Sequence, residues 1–202
     1  MFGIEEGQAL VEALKETAPQ LVANLTPQPL PLPALAALCR SLLAEDIPLR
    51  DFRRIAEAAA DAARFDSDPA ALLAQVRQRL GALIVQEIAP LNGPLRVVTL
   101  HHELEQLLTQ ATRAGGGSAH PFEPGLARQV VEALAEAART HDAEAGMALV
   151  TAPAIRPALA RLVAPHVADM RVLSFLEIPE RRAVEVLAVI GEPVPALSHE
   201  AA

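Results

Sequence analysis

The period of the hydrophobic pattern changes once along the chain, at Asn92-Gly93-Pro94, and this change limits the fold more than any other feature. Before that turn signal, apolar residues recur at spacings of three and four, the repeat of one helical face. After it, short β-rich runs alternate with helical stretches. The expected fold class is α+β: a helical subdomain followed by a small α/β subdomain with a mostly parallel four-stranded sheet. Trp and Tyr are absent and Phe occurs five times, while 51% of residues are apolar. Both cores must therefore be built from Leu, Val, Ile and Ala, which suits close helix contacts.

Residues 1–27 read as a helical remnant of a preceding subdomain. Ala9, Leu10, Ala13 and Leu14 share a helical face between Glu5 and Lys15, and Pro19 ends that helix. A turn over Pro19–Leu25 then leads into Thr26-Pro27-Gln28-Pro29-Leu30-Pro31-Leu32-Pro33, where four prolines favour an extended, polyproline linker. Residues 28–93 form the helical subdomain. Its first helix buries Leu35, Leu38, Leu42 and Leu43. The second, with Pro48 at or just before its first turn, buries Phe52, Ile55, Ala56, Ala59 and Ala63. The third opens at Asp68-Pro69 and turns Leu72, Leu73, Val76, Leu80, Leu83 and Ile84 inward.

Residues 94–191 form the α/β subdomain. Its elements are a strand over Leu95–Leu100, a helix over Glu103–Thr112, a Gly115-Gly116-Gly117-Ser118 loop and a helix opened by Glu123-Pro124. That last helix turns Ala127, Val130, Val131, Leu134 and Ala138 inward. Then come a strand over Met147–Val150, a helix carrying Ile155, Leu159, Leu162 and Val163, and strands over Val172–Phe175 and Val184–Ile190. Only the short Ile178–Arg182 link joins the last two strands. A parallel crossover takes about a dozen residues, so that pair is expected to be antiparallel. Residues 192–202, rich in Pro, Ala and polar residues, read as a disordered tail.

Several function classes are disfavoured. A net charge of -8 with scattered arginines argues against tracking a nucleic-acid backbone. Cys39 is the single cysteine, which rules out an internal disulfide and a thiolate-rich metal site; it reads as a small buried hydrophobe. The longest apolar candidate, Leu80–Ile88, is interrupted by Gln86 and Glu87 and falls short of the roughly 18 to 20 residues that span a bilayer. The start, Met1 to Glu6, has no basic or apolar region of a secretory signal, so the chain as given is expected to be soluble and cytoplasmic.

No catalytic, cofactor-binding or metal-binding set is expected. His101-His102-Glu103-Leu104-Glu105 places His102 and Glu105 one turn apart without a third ligand, and capping with the helix dipole accounts for it. The glycine loop lacks the Lys-Ser or Lys-Thr of a phosphate loop. Ser118, Ser174, His120 and His166 lack a nucleophile-elbow pattern, and His166 falls at the edge of a helical stripe. The rival to an interaction module is a small α/β hydrolase or transferase, with a polar pocket at the strand ends near Thr99, Thr151 and Ser174.

One stretch carries an interface signal. Pro48-Leu49-Arg50-Asp51-Phe52-Arg53-Arg54 has three arginines in five positions with an Asp among them. Arg50, Asp51, Arg53 and Arg54 either meet a carboxylate-rich partner or a neighbouring subunit through charge-assisted bonds, or form ordinary surface ion pairs at a solvated helix start.

The same stretch carries a resemblance. Leu42-Leu43-Ala44-Glu45-Asp46-Ile47-Pro48-Leu49-Arg50-Asp51-Phe52-Arg53-Arg54-Ile55 is similar to the LL-x-E-x-[VI]-P-[IL]-R-D-x-R-x-I pattern of the FHIPEP family of type III secretion export-gate proteins. The similarity continues through Asp68-Pro69, Val76-Arg77, Val98-Thr99-Leu100, Gly115-Gly116-Gly117, Glu123-Pro124-Gly125-Leu126, Ile155-Arg156-Pro157 and Val172 to Ile178, nearly residues 2–191.

The resemblance implies a non-enzymatic C-terminal cytoplasmic part of an export gate at the cytoplasmic face of the bacterial inner membrane. In the family this region forms a nonameric ring that docks chaperone-substrate complexes and soluble export components. The flagellar system is expected, with a virulence injectisome as the alternative. The family's membrane-spanning half and first cytoplasmic subdomains are expected to lie outside this chain, so any membrane attachment would come through them.

Overall fold

The computed structural model describes residues 2–118, 120–142 and 146–191. It divides into two compact units: the first runs to Glu87 and includes Leu176–Arg181, and the second comprises Ile88–Phe175 and resumes at Arg182. Residues 192–202, expected to be a disordered tail, lie outside the described residues.

The first unit is helical: α1 (Ile4–Thr17), α2 (Pro19–Leu25), α3 (Leu32–Ala44), α4 (Phe52–Ala62), α5 (Pro69–Arg79) and α6 (Gly81–Ile88). Helix α1 meets α3 at small residues, where a Cβ added to Gly7 would lie 3.3 Å from that of Ala36. Pro19 does stop α1, but Pro19–Leu25 is a helix rather than the expected turn. Val22 and Leu25, three apart, are both buried and give this short segment a core face.

The proline segment also departs from expectation, turning instead of extending. The Leu30 amide donates to the Leu25 carbonyl at 2.9 Å and the Leu30 side chain is buried, so one apolar residue pulls the segment inward. In α3, Leu35, Leu38, Cys39 and Leu42 form the buried stripe, and Leu43 is exposed one position beyond it. Helix α4 starts only at Phe52, with Asp51 as its cap, so Pro48 stands outside its first turn. Asp68 caps α5, accepting from the Ala71 amide at 2.8 Å. The expected third helix breaks at Leu80 into α5 and α6, and Leu73 and Leu83 are only half-buried.

The second unit contains β1 (Leu95–Leu100), α7 (His102–Ala114), α8 (Pro124–Thr140), β2 (Met147–Thr151), α9 (Arg156–Val163), β3 (Met170–Ser174) and β4 (Val184–Ile190). The strand order is β3-β2-β1-β4 and all three pairs are parallel. The expected antiparallel pair is therefore corrected: β4 pairs with β1, not β3. Residues 175–183 lie between β3 and β4. Their extended reach is about 30 Å, enough for the roughly 22 Å diagonal across three strand spacings and one strand length. The dozen-residue rule applies to helical crossovers, and this link carries only a single 3₁₀ turn, Phe175–Glu177.

The core of this unit joins Val98 and Leu149 of the sheet to Leu108, Val130, Leu134 and Leu159 of the helices. Each such leucine contributes about 1.5 to 3 kcal/mol when fully buried. Glu123 caps α8, accepting from the Gly125 and Leu126 amides at 3.0 Å, and these bonds hold its carboxyl below the ordinary range. With the folded value lowered, the cap's contribution is present above the ordinary carboxyl range and lost as pH falls through that lowered value. Where the chain re-enters this unit, Arg182 donates to the Pro90 carbonyl at 2.7 Å and, more loosely, to those of Ala89 and Leu91.

Gly146 has φ +90, and an added Cβ would overlap the Ile88 carbonyl oxygen. Gly146→Ala is expected to destabilise the chain by more than about 1 kcal/mol, read as a lower urea midpoint at unchanged slope.

Candidate protein-protein interface

The four residues singled out by the sequence lie at the start of α4. Asp51 is the helix cap, accepting from the Arg54 amide at 3.4 Å and pairing with Arg54 Nε at 3.1 Å. Arg53 Nε pairs with Glu57 at 3.1 Å one turn on, and Arg50 pairs with Glu87. The arginine side chains are 69%, 63% and 64% exposed for Arg50, Arg53 and Arg54. Pairs this exposed are screened by solvent and hold the guanidinium groups weakly, so these cations remain available to a partner. Arg54 also borders a cleft of about 330 Å³ lined by Glu57, Asp61, Arg79, Leu80 and Leu83. The cleft pairs two bases and two acids with an apolar floor, a surface suited to a polypeptide.

Sequence reasoning missed the most heavily buried charge in the first unit. Arg77, 2% exposed, donates from Nε to Glu177 Oε1 at 3.0 Å and from Nη2 to Oε2 at 2.7 Å. Its Nη1 lies 2.8 Å from Glu45 Oε2. Glu177 is 3% exposed and Glu45 24%. The bidentate fork matches guanidinium to carboxylate geometrically, which makes such a pair directional as well as strong. Gly81 lies one turn after Arg77, and a Cβ there would overlap the Glu177 carbonyl oxygen. The available signal was Arg77 falling one position after the buried Val76, within an inward-facing stripe.

The other candidate chemistries are not assembled. Glu105 accepts from the Thr151 hydroxyl at 3.0 Å and from the Ala152 amide at 2.7 Å, fastening α7 to the end of β2. That carboxylate is thus engaged where the hydrolase reading requires a polar pocket, and Ser174 is buried. The Ser118 hydroxyl accepts from the His120 amide. His166 is exposed, not at the core edge as expected, its ring against its own helix's Leu162 carbonyl at 2.9 Å. Among the described residues, no group of three His, Cys, Asp or Glu side chains could hold a metal ion, and no helix is long and apolar enough to cross a membrane.

The model of the FHIPEP family matches residues 1–183. The chain belongs to the FHIPEP family. The flagellar biosynthesis protein FlhA of Salmonella typhimurium is 37% identical over 192 residues, covering 95% of this chain and 27% of that protein. This FHIPEP chain therefore spans little more than a quarter of that relative's length. Nonameric SctV-C from EPEC shares its fold with a TM-score of 0.82 at 22% identity, over 94% of this chain and 57% of the other. The Chlamydia pneumoniae CdsV and CdsO complex matches with a TM-score of 0.76 at 24% identity, over 93% and 54%.

The FHIPEP-like motif has a structural reading in this chain. Helix α3 ends in a Schellman closure: the Ile47 amide donates to Leu42 and the Asp46 amide to Leu43, with Asp46 at φ 55. That closure buries Ile47 and sets Glu45, the C-cap, within reach of Arg77. Cys39 is buried, and desolvation pushes its thiol up to about 11.

Two outcomes are expected. Cys39 stays protonated and unlabelled by a thiol-disulfide reagent at pH 8 until denaturant is added. Arg77→Met, which leaves two carboxylates facing an apolar side chain, lowers stability by about 3 to 5 kcal/mol, measured by denaturant unfolding.

Proposed function

We propose that this FHIPEP chain is the C-terminal cytoplasmic part of a flagellar type III export gate. It acts by binding proteins and catalyses no reaction. In this reading it builds a ring with its own copies and helps to dock chaperone-substrate complexes and soluble export components. The family match over residues 1–183 carries the proposal. Two further observations support it: a solved protein of the same fold is nonameric, and another is in complex with CdsO. Membrane attachment at the cytoplasmic face belongs, in this reading, to parts of the parent protein outside these residues. The 37% identity to a flagellar protein, against 22% and 24% to the two solved proteins, favours the flagellar system over an injectisome.

Arg50, Asp51, Arg53 and Arg54 are assigned to subunit contact, with the exposed guanidinium groups meeting carboxylates of a neighbouring copy and Asp51 holding the helix start that presents them. A chimera in which this chain replaces the matching stretch of the Salmonella typhimurium relative is expected to support motility, whereas failure of a folded chimera would count against the flagellar assignment. In that chimera, Arg50→Glu with Arg54→Glu is expected to weaken ring assembly about tenfold or more, read by native mass measurement. Unchanged assembly would remove these residues from the subunit contact while leaving the export-gate reading in place.

A further inference from the structure

Two carboxylates share one guanidinium within the first unit, and they differ in what holds them there. Glu45 is fixed by the Schellman closure of α3. Glu177 is carried by Leu176–Arg181, the segment that joins this unit from the far part of the chain. Of the six residues in that segment only Glu177 is buried; Ile178 and Pro179 are half-buried, and Leu176, Glu180 and Arg181 are exposed. The segment is thus attached mainly through one residue, by its side chain on Arg77 and its backbone against Gly81.

We propose that Leu176–Arg181 is a releasable strap, and that Arg77 passes from Glu177 to Glu45 when the strap opens. Apolar burial contributes little along the segment, so its attachment depends on the two bonds from Arg77. Opening does not strip Arg77 of a carboxylate, because Glu45 stays in place on α3. The two anions also repel across the cation they share, so each weakens the other's hold. Glu45 therefore favours the open strap relative to the closed one. Release adds six residues of slack to the link between β3 and β4.

This mechanism reverses the sign expected of a purely structural contact. If Glu45 only braced Arg77 in the closed state, neutralising it would loosen the strap. If Glu45 receives Arg77 on opening, neutralising it tightens the strap. Hydrogen exchange followed by mass spectrometry on the whole chain separates the two. In the unsubstituted protein, the peptide covering 175–183 is expected to exchange ahead of α3 to α5. E177Q is expected to speed that peptide by about tenfold, and E45Q to slow it by a similar factor, with α3 to α5 unchanged in both. Acceleration or no change in E45Q, an unchanged rate in E177Q, or strap exchange only together with α3 to α5 would each overturn the proposal.

Discussion

A guanidinium at 2% exposure sets the terms for the first unit. Taking such a charge out of water costs several kcal/mol unless fixed acceptors replace the solvent. Arg77 is supplied from two directions: from the end of α3 by Glu45, and from a hundred residues downstream by Glu177. Each supply imposes a local shape. Helix α3 must stop after Ala44 and turn through Asp46 in the left-handed region so that the C-cap side chain reaches α5. The chain leaving β3 must come back against α5 and α6, and Gly81 must lack a side chain to admit it. Three features that look unrelated in the sequence thus follow from one buried charge.

Much of the architecture was legible because periodicity and punctuation agreed. Asp68-Pro69 and Glu123-Pro124 begin helices where cap and proline together say they should, and Leu95–Leu100 is a strand with its expected bounds. The misreadings have a common source. Pro19–Leu25, Leu30 and the partner of β4 were all decided by what lay across the fold. Proline and loop-length rules describe local cost, and a buried Val22, Leu25 or Leu30 outweighs it.

The interface was legible as a composition of charge but not as a geometry. Asp51 is a cap, and the three arginines are exposed with weak intramolecular partners. Nothing in the spacing of residues 48–54 foretold that Arg79 and Asp61 would join Arg54 around one cleft. The buried ion pair was illegible for a different reason. Arg77 and Glu177 each occur within family-like stretches, yet a separation of 100 residues leaves no local trace of their pairing.

That separation has a consequence during synthesis. At about 5 to 20 residues per second, a ribosome needs on the order of 5 to 20 s to make the chain between Arg77 and its bidentate partner. Through that interval the nascent helices hold a cation meant for the interior. Glu45, already made, is a placeholder that can keep it neutralised until Glu177 emerges. β1 waits in the same way for β4, whose residues follow still later. The amino-terminal helices can form early, but neither unit can be completed until almost the whole described chain has left the ribosome.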